Sequence, residues 1–309
     1  VADTPLALYL LVACEIREEL QGNPWALYHE IFKKSIINTD YNENFEDIME
    51  HPIKKNEAIL YKIVCGIAYK MFQNVKQERY YITSEELNTV MLAAEVMSDQ
   101  FEVVKRCCVL CAYWKKCSDV GVLEFYHNNI RDYFFAEYLY DYIEKWFVQN
   151  KKVGIESFVQ YICEVLSYGY IYGTTWEQTM MFLYNKLKFL KEQNQMIIED
   201  ELKMFKLLFT ECVWGMQPVW QHEFDGYTYQ TRKNIIVNLL LIARIYQVGY
   251  EVDQVTEKNL FWRSEEEKVQ MISSNILIDW PEIFSAKIDL KNRWVTIGQN
   301  CILDHMDFQ

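Results

Sequence analysis

Glycine and proline are scarce in this chain of 309 residues, with 10 and 5 occurrences respectively. Proteins on average contain about 7% glycine and about 5% proline, so the chain has few helix breakers. Aromatic residues, by contrast, make up 16% and hydrophobic residues 51%. This apolar content excludes a disordered chain, because its burial can offset the loss of chain entropy. The sequence predicts a mainly α protein of two or three packed subdomains.

Basic side chains are outnumbered, with 31 lysines and arginines against 44 aspartates and glutamates and a formal net charge of -13. Such a charge repels phosphate backbones, which disfavours broad nucleic-acid binding. The longest apolar run, residues 5–14, is shorter than the roughly 20 residues of a membrane-spanning helix. We therefore expect no membrane span and no signal peptide. The first residue, Val1, suggests a piece of a longer protein.

The nine cysteines are odd in number and lie mostly within apolar stretches. This distribution is typical of buried free thiols in a reducing compartment, so we expect a cytoplasmic protein. Cys108 and Cys111 form one CxxC motif, but no second CxxC or histidine pair lies at zinc spacing. The sequence therefore predicts packing cysteines and no metal site.

Helix-start signals occur twice near the beginning of the chain. Polar residues precede Pro5, and Asn23 precedes Pro24, which places each proline at a favourable first helical position. Residues 39–56 are polar and acidic, and we predict a linker there.

The next segment has the pattern of a winged helix. An apolar stripe predicts a first helix from Glu57, and Thr83 with Glu86 forms a capping box that opens a second. A third short helix is predicted over residues 99–107. The apolar stripe of the first of these three helices consists of Leu60, Val64, Ile67 and Met71.

Two β-branched and aromatic runs follow, at residues 108–114 and 120–126, with a polar turn at 115–119 between them. They predict a hairpin, and three helices followed by a hairpin predict a winged helix. A long helix is expected over residues 128–147. One face of it carries Ile130, Phe134, Tyr138 and Tyr142, and the other carries Arg131, Asp132 and Glu137.

Further helices are predicted after residue 151. Their ranges are 155–168, 175–192 behind a Thr174/Glu177 capping box, 195–214 and 231–248. Residues 272–309 contain short apolar pieces between polar residues, which predict short strands or the opening of a repeat array.

The patterns divide the chain into four predicted parts. They are a helical segment at 1–45, a winged-helix domain at 55–148, a helical domain at 150–264 and a C-terminal segment of short strands or repeats at 265–309.

Residues 125–139 read FYHNNIRDYFFAEYL and resemble the signature that closes the winged helix of NACHT-type STAND signalling NTPases. The opening also resembles that family. Residues 4–8 are similar to the proline motif that ends its nucleotide-binding core, and residues 23–31 are similar to the segment after it. Together the resemblance covers residues 1–147.

The resemblance implies a nucleotide switch. Pro5 matches the proline that packs by the adenine, and His127 matches the winged-helix histidine that reaches the diphosphate in the resting state. An imidazole can donate a hydrogen bond to a phosphate oxygen, and protonation adds charge assistance. The alternative is that His127 merely caps the following helix. Tyr133, Phe134 and Tyr138 are expected to be core residues.

The sequence contains no G-x-x-x-x-G-K-[ST] motif, so this chain alone is expected neither to bind a cofactor nor to hydrolyse ATP. The resemblance implies ADP or ATP with Mg²⁺ in the full-length parent, which would be an ATPase of signal transduction. Expected partners are its own nucleotide-binding domain, further copies on activation and an unidentified trigger. No metazoan-type recruitment domain is present, which favours a prokaryotic defence or stress-response protein.

Three alternatives remain open. A DNA-binding winged helix is disfavoured because residues 99–107 balance Asp99 and Glu102 against Lys105 and Arg106. An enzyme with a site in the helical half is disfavoured because the five histidines form no recognisable catalytic motif. The third is a helical protein-interaction adaptor without a nucleotide switch.

Overall fold

A computed structural model describes the central part of the chain most fully. The described residues are 22–37, 57–102, 104–105, 114–116, 122–149, 155–169, 171, 174–176, 178–193, nine helical positions between 231 and 246, 294–297 and 301–304. Pro5, the predicted linker at 39–56, the predicted helix at 195–214 and most of the C-terminal segment at 265–309 lie outside them.

The described residues are mainly helical, which confirms the predicted class. The α-helices are α1 (Pro24–Ile37), α2 (Glu57–Gln73), α3 (Ser84–Ala93), α4 (Asn128–Gln149), α5 (Ile155–Leu166) and α6 (Gln178–Glu192). The strands are β1 (Trp114–Lys116), β2 (Leu123–Phe125), β3 (Trp294–Ile297) and β4 (Cys301–Asp304). None of the described helices is long and apolar enough to span a bilayer.

Helix α1 begins where its sequence predicts. The side-chain Oδ1 of Asn23 accepts a hydrogen bond from the amide of Ala26 at 3.0 Å, and Pro24 is the first helical residue. Proline suits this position because an amide there has no partner within the helix. The Asn23-Pro24 start signal is confirmed.

Helix α2 buries the predicted apolar stripe, since Leu60, Val64, Ile67 and Met71 are at most 3% exposed. It also approaches α3 closely. A Cβ added at Gly66 would lie 2.8 Å from Cγ1 of Val90, a distance that real Cβ contacts do not reach. Glycine at position 66 therefore permits the close packing of the two helices.

Helix α3 opens with the predicted capping box. The hydroxyl of Thr83 accepts from the amide of Glu86 at 3.3 Å, and the carboxylate of Glu86 accepts from the amide of Thr83 at 2.9 Å. Both bonds satisfy amides that have no intrahelical partner. Because this motif needs only four consecutive residues, the sequence predicts it well.

Strands β1 and β2 pair antiparallel, with Trp114 opposite Phe125. The hairpin is confirmed, but β1 extends past its predicted end at residue 114, since Lys115 and Lys116 belong to the strand and not to the turn. Charged residues are common on strands at sheet edges, so their polarity did not mark a turn. Ile82 adds a bridge to Leu123 through two backbone hydrogen bonds of 3.0 Å.

Helix α4 is buried on both faces from Ile130 to Tyr140, with only Tyr138 half-buried in that stretch. Ile130, Phe134 and Tyr133 lie in the core, but Arg131, Asp132 and Glu137 are also at most 3% exposed. Tyr138 is only half-buried, and its ring stacks on Tyr69 with centroids 4.4 Å apart. Arg131, Asp132 and Glu137 are therefore internal, which their helical spacing alone does not indicate.

Helix α6 begins at Gln178, three residues later than predicted. The hydroxyl of Thr174 donates to the carbonyl of Ile171 at 2.8 Å, so it is engaged in the preceding turn. Glu177, the other half of the predicted capping box, lies outside the described residues. The amide of Thr179 donates to the carbonyl of Trp176 at 3.0 Å.

The chain divides into two compact units. The first comprises Val1–Ile143 and Thr175–Phe189, and the second comprises Glu144–Thr174 and Leu190–Gln309. Helix α6 thus contributes most of its length to the unit that contains α1 to α3. The four predicted domain boundaries remain predictions.

In the second unit, the buried side chain of Asn238 is hydrogen-bonded to three backbone groups. The side-chain amide of Asn238 donates to the carbonyls of Leu166 and Gly169 at 3.2 and 2.7 Å, and its oxygen accepts from the amide of Ile171 at 3.0 Å. These bonds satisfy the backbone at and just after the end of α5. In the C-terminal segment, β3 and β4 pair antiparallel with Trp294 opposite Asp304.

Replacing Thr83 by Ala should lower the free energy of unfolding by about 1 kcal/mol, because the helix loses its side-chain cap. Urea denaturation of the full chain measures this change. Thr89→Ala is the matched control, since Thr89 lies on the exposed face of the same helix. A loss of stability no larger for Thr83→Ala than for Thr89→Ala would contradict the capping role.

Candidate functional site

His127 lies at the junction between β2 and α4 and caps the helix. Its Nδ1 accepts a hydrogen bond from the amide of Asn129 at 3.1 Å. Its carbonyl accepts from the amides of Ile130 and Arg131 at 3.1 and 3.4 Å. The structure therefore places His127 in the capping position that the sequence left as the alternative to phosphate contact.

The cap determines which nitrogen of His127 can act on a ligand. A nitrogen that accepts a hydrogen bond carries no proton, so the neutral ring has its hydrogen on Nε2. The side chain is half-buried, between exposed Tyr126 and exposed Asn128. The ring can therefore donate through Nε2 while Nδ1 continues to cap α4.

Helix α1 lies beside this junction. The side chain of Asn129 hydrogen-bonds the hydroxyl of Tyr28. Burial raises the pKa of Tyr28 above its ordinary value, against the opposing effect of this bond. The ring of Tyr28 also packs near Tyr133, with centroids 5.9 Å apart. Residues of α1 thus contact the first two turns of α4, next to His127.

A buried carboxylate, Glu137, lies on α4 about three helical turns after His127. Oε1 of Glu137 accepts from Nε1 of Trp25 at 2.6 Å and from Nζ of Lys186 at 2.9 Å. Its Oε2 accepts from the hydroxyl of Tyr61 at 2.7 Å. Glu137, Trp25 and Lys186 are at most 6% exposed. We call Glu137, Trp25, Tyr61 and Lys186 the Glu137 cluster.

Two more side chains extend the Glu137 cluster towards the surface. The hydroxyls of Tyr61 and Tyr133 lie 2.7 Å apart, and the Tyr133 hydroxyl lies 3.1 Å from Nδ1 of half-buried His29. A continuous line of hydrogen bonds therefore runs from Lys186 through Glu137, Tyr61 and Tyr133 to His29.

The Glu137 cluster is centred on an ion pair, and the exposed carboxylate of Asp141 also lies 3.9 Å from Nζ of Lys186. Burial acts to raise the pKa of Glu137, but the charge of Lys186 and the hydrogen bonds it accepts keep that pKa below its ordinary value. Burial raises the pKa of Tyr61 well above its usual range, and neighbouring Tyr133 and Glu137 reinforce the shift. Burial lowers the pKa of His29. Glu137 is therefore a carboxylate, Tyr61 a phenol and His29 a neutral imidazole near pH 7.

A second buried pair lies on α4 between His127 and Glu137. Nε and Nη2 of Arg131 donate to Oδ1 of Asp132 at 2.9 and 2.7 Å, and Nη2 also donates to the carbonyl of Thr175. The guanidinium carbon lies 3.8 Å from the ring centroid of Trp176. Oδ2 of Asp132 is buried without a hydrogen-bond partner among the described residues.

Burial raises the pKa of Asp132 from 3.8 to about 7, because the attraction of Arg131 offsets only part of the cost of removing the carboxylate from water. A buried carboxylate with one unpaired oxygen favours protonation. Asp132 is therefore the group of this helix that titrates closest to neutral pH among those with a resolved pKa shift.

Of the two residues predicted for a nucleotide site, the structure describes only His127. The Glu137 cluster and the Arg131–Asp132 pair were not predicted from the sequence. A signal was present, because acidic residues in a helix rich in aromatic residues are rarely buried unless they have a partner. Nothing in the local pattern indicates that Lys186 is the partner of Glu137. Among the described residues, no group of three or more histidines, cysteines, aspartates or glutamates could bind a metal ion.

Asp132→Asn should change how stability depends on pH. Between pH 3.8 and about 7 the folded state retains a proton on Asp132 that the unfolded state loses, so this group makes stability fall as pH rises. The slope is at most about 1.4 kcal/mol per pH unit. Relative to the wild type, the variant should therefore gain stability from pH 5 to pH 8.

Urea denaturation at both pH values measures this difference, and Asp99→Asn on the surface is the control. Parallel stability profiles for Asp132→Asn and the wild type would show that Asp132 is already ionised in the folded protein at pH 5.

Comparison of the chain with protein-family models, with curated proteins and with solved structures gives no match.

Proposed function

We propose that this chain is the regulatory and sensor-coupling part of a NACHT-type signal-transduction ATPase. In this proposal a winged helix at residues 55–148 stabilises the ADP-bound resting state and releases it for oligomerisation. The observation that carries the proposal is the position of His127. Within a sequence that resembles the family's signature, it caps α4 through Nδ1 and leaves Nε2 as a donor.

The order of elements supports the winged helix. Helices α2 and α3 are followed by helical positions between 101 and 105 and then by the β1–β2 hairpin. The bridge from Ile82 to Leu123 adds a third strand position just before α3, where a winged helix has its first short strand.

The chemistry of His127 suits a phosphate sensor. A neutral imidazole donates one hydrogen bond from Nε2 to a phosphate oxygen, and a bond to a charged acceptor contributes about 1.5 to 3 kcal/mol. The same ring remains fixed by its cap at Nδ1. Capping and phosphate contact are therefore compatible, and the cap orients the donor before a nucleotide arrives.

The neighbourhood of His127 also supports the proposal. Helix α1 resembles the segment that follows the nucleotide-binding core, and its Tyr28 contacts Asn129, two residues after His127. A nucleotide bound by the parent protein next to α1 would thus be near the imidazole. Pro5 would pack by the adenine, and Mg²⁺ with ADP or ATP would be bound mainly by the parent's own phosphate-binding loop.

In this proposal the chain acts in the cytoplasm and does not hydrolyse ATP by itself. Its partners are its own nucleotide-binding domain, further copies of the protein on activation, and an activating trigger.

His127→Ser separates the two roles of the histidine. A serine hydroxyl is a good helix cap but is too short to replace the reach of an imidazole, whereas His127→Ala removes both cap and donor. In the protein that includes the upstream nucleotide-binding segment, both variants should lose about 10- to 100-fold in ADP affinity. Both should also oligomerise more readily.

Thermal denaturation of the same proteins provides the control. His127→Ser should retain the unfolding midpoint of the wild type, while His127→Ala should lose the stability of a helix cap, about 1 kcal/mol. If His127→Ser binds ADP as tightly as the wild type and remains monomeric, His127 is a structural cap and the phosphate-sensing role is wrong.

A further inference from the structure

The Glu137 cluster joins four helices at one carboxylate. Trp25 comes from α1, Tyr61 from α2, Glu137 from α4 and Lys186 from α6. The indole nitrogen of Trp25 and the ammonium of Lys186 both donate to the same oxygen, Oε1. Two helices that are far apart in the sequence therefore share one acceptor.

Helices α1 and α6 also contact each other around this acceptor. The ring of Trp25 packs against Phe189 with centroids 5.3 Å apart, and Nζ of Lys186 lies 5.5 Å from the Trp25 ring centroid. The side-chain amide of Asn23 donates to the carbonyl of Asn185 at 2.9 Å. Trp25 thus covers the ion pair on the side of α1.

A buried ion pair is stable only while its surroundings exclude water and satisfy its remaining hydrogen bonds. If α1 leaves, Glu137 loses the Trp25 donor, and water reaches the pair and weakens its attraction. If α6 leaves, Glu137 becomes a buried charge without a cation, which is the most costly state for a carboxylate. Each departure therefore destabilises the docking of the other helix.

We propose that the Glu137 cluster couples the docking of α1 to the docking of α6, so that the two helices bind to and leave the body of α2 and α4 in one step. The cluster is a two-state element within the first compact unit. Any ligand or partner that displaces α1 thereby also displaces α6. This coupling goes beyond the proposed nucleotide switch and does not depend on it.

Hydrogen exchange of the full chain, measured by mass spectrometry, tests the coupling, since local opening exposes the amides of a helix. Lys186→Met should raise exchange in α1 about tenfold or more, although residue 186 lies in α6. Trp25→Phe retains an aromatic ring but removes the indole donor, and it should raise exchange in α6.

Lys188→Met is the matched control, because Lys188 is an exposed lysine on the same helix and should leave α1 unchanged. Amides of α3 provide the internal reference, since α3 contributes no residue to the cluster. Should Lys186→Met fail to fold, Trp25→Phe supplies the reciprocal measurement. Exchange that rises only in the substituted helix, or equally in α3, would overturn the coupling.

Discussion

The packing of the first compact unit depends on one buried carboxylate, that of Glu137, which needs hydrogen-bond donors and a cation close to it. Glu137 lies in the middle of α4 and is almost fully excluded from water, where an unpaired charge would cost several kcal/mol. Its two oxygens are satisfied only when Trp25, Tyr61 and Lys186 are all in place. Hydrophobic burial tolerates several arrangements of four helices, whereas hydrogen bonds require their donors at fixed positions around the carboxylate.

Helix α4 connects this packing to the candidate site. Its first turn is capped by His127, its second carries the Arg131–Asp132 pair, and Glu137 follows further along. Because both faces of the helix are buried from Ile130 to Tyr140, a shift of its start would disturb the Arg131–Asp132 pair and the Glu137 cluster. The imidazole of His127 is held at the start of this helix by its Nδ1 cap. Contact between Tyr28 and Asn129 brings α1 to the same place.

Local features of the fold were predictable. The Thr83–Glu86 capping box and the Asn23-Pro24 start depend on residues within one helical turn, so short-range geometry determines them. The stripe on α2 was predictable because helical periodicity places its members on one face. The predicted boundaries of helices and strands were less accurate where they depend on contacts with distant segments. Strand β1 includes lysines expected in a turn, and α6 begins after Trp176, whose ring lies against the Arg131 guanidinium.

By itself, the sequence determined the mainly α class, the starts of α1 and α3 and the junction at which His127 lies, because each follows from composition or from residues adjacent along the chain. Only the tertiary structure decided that Arg131, Asp132 and Glu137 of α4 are internal, that Lys186 pairs with Glu137, and that α6 packs in the same unit as α1. The physical reason is distance along the chain. A helical pattern states which residues share a face, whereas the partner of a buried charge comes from whichever segment folding brings next to it.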